Sequence, residues 1–375
     1  MRFPIIFLAT ILISSCSTER DDQTLKPDII EVLNDDENTE NPDSFIDDIK
    51  FIDLKTDDTF YGEISKMKIY DDKIYILDEN VRVGLYVYDL SGDLVYEYRN
   101  KGQAPNQYLQ LSDFIVNEDE SVELLDSYLQ KIFTINKKGE HIDTKKMSFP
   151  ASDFIKHEGH YFFHTNNLEV SKGEEPIGLL VKSNLSLTEI ENIIPLDTAR
   201  GEFILNQRGE NFFYWKGNAY FMDIFSNKAI SLTPSKPNLE FDFGKKSFPT
   251  DFFGKNDFPE QGLYLNHIFS NELAWNLTGF YGFEDLLFFK FALGMNEYFS
   301  FYDQSNNAIA RNMRQSWESN NLCFSFFSLP VATYEDNLVF AINANQVSQL
   351  KENGCSELEG LDVDENNILM LMKMK

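Results

Sequence analysis

The chain has 375 residues, with 61 Asp or Glu against 33 Lys or Arg and a formal net charge of -28 at pH 7. So acidic an exterior repels nucleic acid and anionic lipid surfaces, so neither is expected as a partner, and a cation or a neutral ligand fits better. Aromatic residues make up 14% of the sequence, and apolar runs of strand length recur throughout, ample for a large core. After the first residues no run is long and apolar enough to cross a bilayer as a helix.

The chain opens on an export signal: a charge at Arg2, an apolar run over 3–13, then Ser14, Ser15 and Cys16. The stretch Ile13-Ser14-Ser15-Cys16 resembles the bacterial lipobox, in which a branched apolar residue and two small ones precede a cysteine that a dedicated peptidase exposes for acylation. Residues 1–15 are therefore expected to be a lipoprotein signal peptide and Cys16 the lipidation site, the alternative being an ordinary secretory signal with an incidental Cys16. Each buried methylene of an acyl chain contributes about 0.8 kcal/mol, so several chains would hold the protein at a membrane. Residues 16–50 are acidic and poor in aromatics, with Asp21-Asp22, Asp35-Asp36-Glu37 and Asp47-Asp48, which predicts a disordered tether. Glu19, Asp21 and Asp22 resemble a loose form of the acidic tag that takes some Bacteroidota lipoproteins to the cell surface; a plain linker ending in the periplasm is equally open. The expected location is the cell envelope, as an outer-membrane lipoprotein that is periplasmic or surface-exposed.

Residues 51–375 form the predicted folded domain. Within 71–98, strand-like runs at 73–77, 84–89 and 94–98 alternate with turn signals, and Ser91-Gly92-Asp93 closes the hairpin between the last two. The layout returns at 119–144, where Asp126 answers Asp78 and Lys138-Gly139 answers Ser91-Gly92, giving a period of about 47 residues. Weaker copies follow at 160–165, 219–232, 286–308 and 337–343. No long stretch shows the 3.6-residue rhythm of an amphipathic helix. Small sheets repeated at such a period predict a β-propeller, because each sheet needs neighbours on both faces. The runs at 51–54 and 368–372 are expected to share one sheet and close the ring. The period alone allows six or seven blades.

Five stretches carry a family likeness: KIYILD (73–78), YVYDLSGDLV (86–95), NKGQAPNQYLQLSDF (100–114), FDFGKKSFP (241–249) and NNILMLMKMK at the end. Together they resemble the six-bladed β-propeller lipoproteins of Bacteroidota, relatives of the NHL-repeat and TolB-like propellers. The third is similar to that family's glycine and proline loop between the first two blades, with Ala104 and Asn106 in place of glycines and Gln107 in place of an acidic residue. The resemblance implies an all-β fold of six four-stranded antiparallel blades, and little about chemistry.

Candidate reactive residues are few. His157, His160 and His164 cluster around Glu158-Gly159, but Gly159 suggests a hairpin tip, and strand side chains four apart stand about 13 Å from each other, too far to share one zinc. The sequence has no G-x-S-x-G elbow, no H-E-x-x-H pair and no phosphate-cradling glycine loop. No cofactor or metal is expected. Cys323 and Cys355 can pair in an oxidising compartment, with two separately buried thiols as the default. The many Phe and Tyr between 252 and 302 read mostly as core, whereas Trp215 and Trp275, each next to a turn signal, are the candidate ligand contacts. Asp78 and Asp126 are expected to accept backbone hydrogen bonds where their strands turn.

The expected function is that of a lipid-anchored binding or scaffold protein rather than an enzyme, recognising a glycan, a peptide or an envelope protein on a propeller face. The alternative is an envelope hydrolase or lyase with its site in the central channel. A subunit of a larger outer-membrane assembly is a third possibility.

Overall fold

The run Lys73–Asp78 is apolar at successive positions rather than alternate ones, and five of its six residues are buried. Such a strand needs cover on both faces, and small sheets obtain it by stacking round a ring. The computed structural model describes residues 25–33, 42–55, 62–167, 177–200, 211–256, 258, 261–313, 318–319, 324–325, 329–352, 354–355, 358 and 368–375. Within them, six four-stranded antiparallel blades surround an axis.

Blade I comprises Lys66–Tyr70, Lys73–Asp78, Gly84–Asp89 and Leu94–Tyr98, and blade II comprises Leu111–Val116, Val122–Asp126, Lys131–Ile135 and His141–Lys146. Blade III is built from Asp153–His157, His160–His164, Leu180–Asn184 and Ile190–Ile194, and blade IV from Phe212–Trp215, Asn218–Phe221, Lys228–Ser231 and Leu239–Asp242. Blade V holds Ala274–Phe283, Leu286–Leu293, Asn296–Asp303 and Ala308–Met313. Blade VI takes Pro330–Tyr334, Asn337–Ile342 and Ile368–Met374 from the end of the chain and its outermost strand, Ile46–Asp53, from near the beginning. That pairing runs from Ile46 opposite Met374 to Asp53 opposite Ile368, with one register shift between Ile46 and Asp48, so the ring closes as the terminal runs predict. The first strand of each blade lies innermost, and first strands of neighbouring blades touch at the boundaries I–II, II–III, IV–V, V–VI and VI–I.

Each of the six blade boundaries holds its own buried apolar cluster. Tyr75, Leu85 and Phe114 meet between blades I and II, and Phe154, Tyr161 and Leu125 between II and III. Phe212 and Phe221 pack against Phe162 between III and IV, and Phe213, Phe280 and Phe289 lie between IV and V. Phe288, Phe340 and Met370 fill the boundary of V and VI, and Ile76, Val339 and Leu371 that of VI and I.

Repetition of one blade plan gives the ring two unlike faces. Connections between first and second strands, and between third and fourth, all emerge on one side. Five of the six first-to-second connections are tight: 71–72, 158–159, 216–217, 284–285 and 335–336 reverse the chain in two residues. Three of these pairs have positive φ at both positions, Asp71 (46°) with Asp72 (56°), Glu158 (46°) with Gly159 (74°), and Lys216 (52°) with Gly217 (70°), the geometry whose twist matches the flanking strands. The opposite side receives the strand ends of the remaining connections, described over 99–110, 165–167, 177–179, 195–200, 243–256, 261–273 and 343–352. These are called the hairpin face and the loop face below.

Two expectations need correction. Residues 16–50 are not wholly a tether: Asp28–Glu31 forms a fifth strand, parallel to Leu239–Asp242 on the edge of blade IV, and the closing strand begins at Ile46. The apolar Ile30 and Val32 explain it, being 1% and 0% exposed in the cluster between blades IV and V; such side chains contribute about 1.5–3 kcal/mol each when fully buried. Second, short helices are present in the loop-face connections: α1 (Phe252–Lys255), α2 (Gln261–Asn271) and α3 (Ala344–Glu352). In α2, Tyr264 and Ile268, one turn apart, are buried against Phe248, Phe252 and Phe253. That cluster explains much of the aromatic density read as blade core. The predicted signal peptide, Cys16 and Cys323 lie outside the described residues, while Cys355 is buried.

Candidate functional site

On the hairpin face, polar side chains bind neighbouring blades together. Tyr334 donates its hydroxyl to Asp72 at 2.6 Å across blades VI and I, and Lys73 reaches Glu120 across I and II. Between II and III, Glu123 is buried and accepts the Tyr161 hydroxyl at 2.8 Å and the Lys156 ammonium at 2.9 Å. Burial, then the charge of Glu123, pushes the Tyr161 phenol well above its usual range. His157 Nε2 lies 2.6 Å from Thr233 Oγ1 across III and IV, and Lys216 meets Asp285 across IV and V. These contacts engage ionisable side chains of this face in holding neighbouring blades together. A cavity of about 280 Å³ opens beside Glu284, Asp285, Asp303 and Asp336. Asp303 there is engaged by Ser305 and Asn306 of its own turn.

On the loop face, carboxylates are turned inward. Asp78, fully buried, accepts backbone N–H groups from Gly62, Glu63, Asn80, Val81 and Arg82 at 2.7–3.2 Å. Burial alone would raise its pKa, but the donors of Val81, Arg82, Gly62 and Asn80 together hold it below the ordinary range. Asp126 holds the matching place in blade II, where its carboxylate accepts the backbone N–H groups of Leu109, Gln110 and Leu129. Both aspartates therefore latch an incoming connection to a strand end, as their repeat positions suggest.

At the loop-face end of the innermost strands Lys66, Asp113, Asp153 and His164 come together. Asp113 follows a register shift in the first strand of blade II, a local bulge that re-aims its side chain. Its fully buried carboxylate accepts the backbone N–H of Phe154 in blade III at 2.8 Å and binds Lys66 of blade I, so one side chain joins three blades. Beside it Asp153 opens the first strand of blade III, directly opposite His164. Asp153 Oδ2 lies 3.3 Å from His164 Nδ1, and Ser152 Oγ lies 3.1 Å from the same nitrogen. Burial raises the Asp153 carboxyl above its ordinary range, with His164 opposing and Asp113 adding to the effect. Among the described residues, Asp153 Oδ1 and His164 Nε2 are buried with no hydrogen-bond partner.

A serine, a histidine and an aspartate so close invite comparison with a hydrolytic triad, yet the geometry differs. A triad needs the carboxylate on one ring nitrogen and the hydroxyl on the other. Here both lie on Nδ1, so the three side chains do not have the triad arrangement. Farther along this face Arg200, 3% exposed, pairs with Asp223 at 2.9 Å and sits 4.6 Å over the Phe225 ring, tying the connection 195–211 to the aromatic cluster under α2.

Comparison with known proteins decides the family. A domain family described as a 6-bladed beta-propeller, DUF5128, matches residues 18–341. The chain belongs to this propeller family. Among solved structures, a protein of Bacteroides fragilis NCTC 9343 assigned as exported is 18% identical, with a TM-score of 0.74 over 92% of this chain and 99% of that one. A DUF4221 family member from Bacteroides vulgatus is 11% identical, with a TM-score of 0.53 over 88% and 97% of the two chains. A virginiamycin B lyase from Staphylococcus aureus is 14% identical over 87% and 99%, with a TM-score of 0.43, too distant to bear on this chain. Among curated proteins none matches.

The propeller places the sequence-predicted contacts elsewhere than expected. Trp215 is 3% exposed, not a platform; it lies at the boundary of blades IV and V, edge-on to Tyr302, where a Cβ on Gly282 would come within 2.7 Å of it. Trp275 is half-buried between Phe225 and Phe269, with its indole N–H donating to the Gly294 carbonyl at 2.8 Å. Neither meets the other or the channel group. His157 and His160 flank the hairpin tip as expected, and no cluster of three or more His, Cys, Asp or Glu able to hold a metal occurs among the described residues. The channel group escaped sequence reading, though one signal was present: Lys66 and Asp113 are 47 residues apart, as are Lys73 and Glu120. That is the repeat period, and Lys66 and Asp113 hold equivalent places in adjacent blades, opposite Leu77 and Leu125.

Proposed function

We propose that this protein is a binding protein of the cell envelope, held at a membrane through acylated Cys16 and recognising a glycan, a peptide or an envelope protein at the loop face around the channel mouth. The observation that carries this reading is the contrast between the faces: the long connections gather on one side, around buried polar atoms of Asp153 and His164 that no described protein group satisfies. Binding residues concentrate on loops carried by a rigid scaffold, and a buried polar atom without a partner is a place for a ligand atom. Recognition without catalysis fits the shared Nδ1 contact of Ser152 and Asp153. An exported relative from Bacteroides supports an envelope location.

The test is a thermal-shift screen of the chain without residues 1–16 against glycans and peptides, with mass spectrometry of the ligand after incubation. A ligand at about 100 times its Kd adds about 2.7 kcal/mol to native-state stability, a rise of a few degrees in Tm. A saturable rise with the ligand intact is expected. A flat Tm across the panel, or conversion of the ligand, contradicts the proposal. The mass of the Cys16 peptide from membranes tests acylation separately.

A further inference from the structure

We infer that residues 25–33 are a strap that sets which face of the propeller looks toward the membrane: the chain joins the ring at the hairpin face, leaving the loop face pointing away. The path of the strap stands on its own; its consequence at a membrane rests on the anchoring proposed above.

Strand direction carries the first step. The outermost strand of blade IV, Leu239–Asp242, leaves the hairpin-face connection 232–238 and ends at the loop face, where 243–273 begins. Asp28–Glu31 runs parallel to it, with Asp28 opposite Leu239 and Glu31 opposite Asp242. The strap must therefore begin on the hairpin side, and there the Asp28 N–H donates to the Asn238 carbonyl at 2.9 Å. At its far end the N–H groups of Val32 and Leu33 both donate to the Asp242 carbonyl, at 2.8 and 3.3 Å. Arg311, from the outermost strand of blade V, donates to the Val32 carbonyl at 2.8 Å, so two blades clasp the segment. Ile30 and Val32 are buried between them while Ile29 and Glu31 are exposed, the alternation of a strand packed on one side, with Asp28 exposed where the strand begins.

Reach carries the second step. From Cys16 to Ile46 a free chain could extend about 100 Å, enough for the ring to turn over at will. From Cys16 to Asp28 it spans at most about 40 Å, planted on the hairpin rim. Bringing the loop face to the membrane would require the tether to run back along a blade about 20 Å tall, consuming half its length. The resting state therefore holds the hairpin face near the bilayer and presents the loop face to large partners beyond it.

Two measurements on the mature full chain test this. In hydrogen exchange, the Asp28 and Val32 amides should be protected along with Leu239–Asp242, and Arg311→Ala should free 28–33 while blades I and II stay protected. Rapid exchange of 28–33 in the unaltered chain overturns the strap. For orientation, the chain is anchored through Cys16 on phosphatidylcholine vesicles, by its native acyl groups or, where mass spectrometry finds none, by a maleimide lipid. Dyes are placed by genetic code expansion in blade V, at Asn306 on the hairpin face or at Met295 on the loop face. Energy transfer to a headgroup acceptor should be several-fold stronger from 306 than from 295, and the difference should shrink in Arg311→Ala. Equal or reversed transfer, with the strap protected, overturns the orientation; absence of native acylation contradicts only the anchoring.

Discussion

The hairpin face and the loop face are made by the same strands, yet they use polar residues in opposite ways. On the hairpin face the backbone reverses in two residues, and carboxylates such as Glu120 and Asp285 reach sideways to lysines of the next blade. On the loop face Asp78, Asp126 and Asp113 turn inward to backbone N–H groups, and Asp153 is left with a buried oxygen that finds no partner among the described residues. The hairpin face is laced by side-chain pairs at five blade boundaries. The other is then free to carry long connections and incompletely satisfied polar atoms, which is where recognition can evolve without loss of the fold.

The largest test removes the difference altogether. Residues 368–375 supply the strand between Asn337–Ile342 and Ile46–Asp53, so their deletion opens the ring and exposes the clusters around Met370 and Leu371. The loss should exceed the roughly 5–15 kcal/mol by which domains are stable, and circular dichroism should show no cooperative unfolding. A retained sharp transition would mean that the faces do not depend on closure. Single substitutions should separate the faces next. Asp78→Ala leaves five backbone donors without their acceptor and should cost about 3 kcal/mol in urea unfolding. On the hairpin face, Gly159 has φ of 74° with open space around it, so Gly159→Ala should cost only about 1 kcal/mol of backbone strain. Equal losses at the two sites would deny that the inward carboxylates bear more of the load.

A smaller effect divides the loop face itself. The Asp78 carboxyl is held low in the folded state, so its contribution is present above the ordinary carboxylate range and lost as pH falls through the folded value. Asp153 is held high, so its contribution is present in acid and lost as pH rises through its folded value. Wild type should therefore lose its advantage over Asp78→Asn on acidification, while Asp153→Asn should gain on wild type as pH rises toward neutrality. Chemical unfolding at several pH values reads both slopes; slopes of one sign would remove the distinction between a satisfied latch and an unsatisfied site.

The same contrast explains what the sequence revealed. In blade I the strands Gly84–Asp89 and Leu94–Tyr98 fall where the repeat places them, because their turns are short and local chemistry specifies them. The innermost strand Lys66–Tyr70 escaped notice: it faces the channel and mixes lysines with apolar residues, so no clean strand pattern marks it. Asp28–Glu31 was hidden by the acidic residues around it, since composition averaged over 16–50 outweighs two buried aliphatic side chains. Asp78 and Asp126 were readable because an aspartate at a strand end acts on nearby backbone. Asp113, Asp153 and His164 were not, because their meeting depends on how neighbouring blades stack, which a linear pattern does not display.

The most direct test of the loop face as the recognition surface is hydrogen exchange across the whole chain with and without the best glycan or peptide from the thermal screen. Added protection should fall in the loop-face connections, chiefly 99–110, 147–152 and 195–200, with the turns at 71–72, 158–159, 216–217 and 335–336 unchanged. Protection centred on those turns instead would contradict the assignment of the two faces.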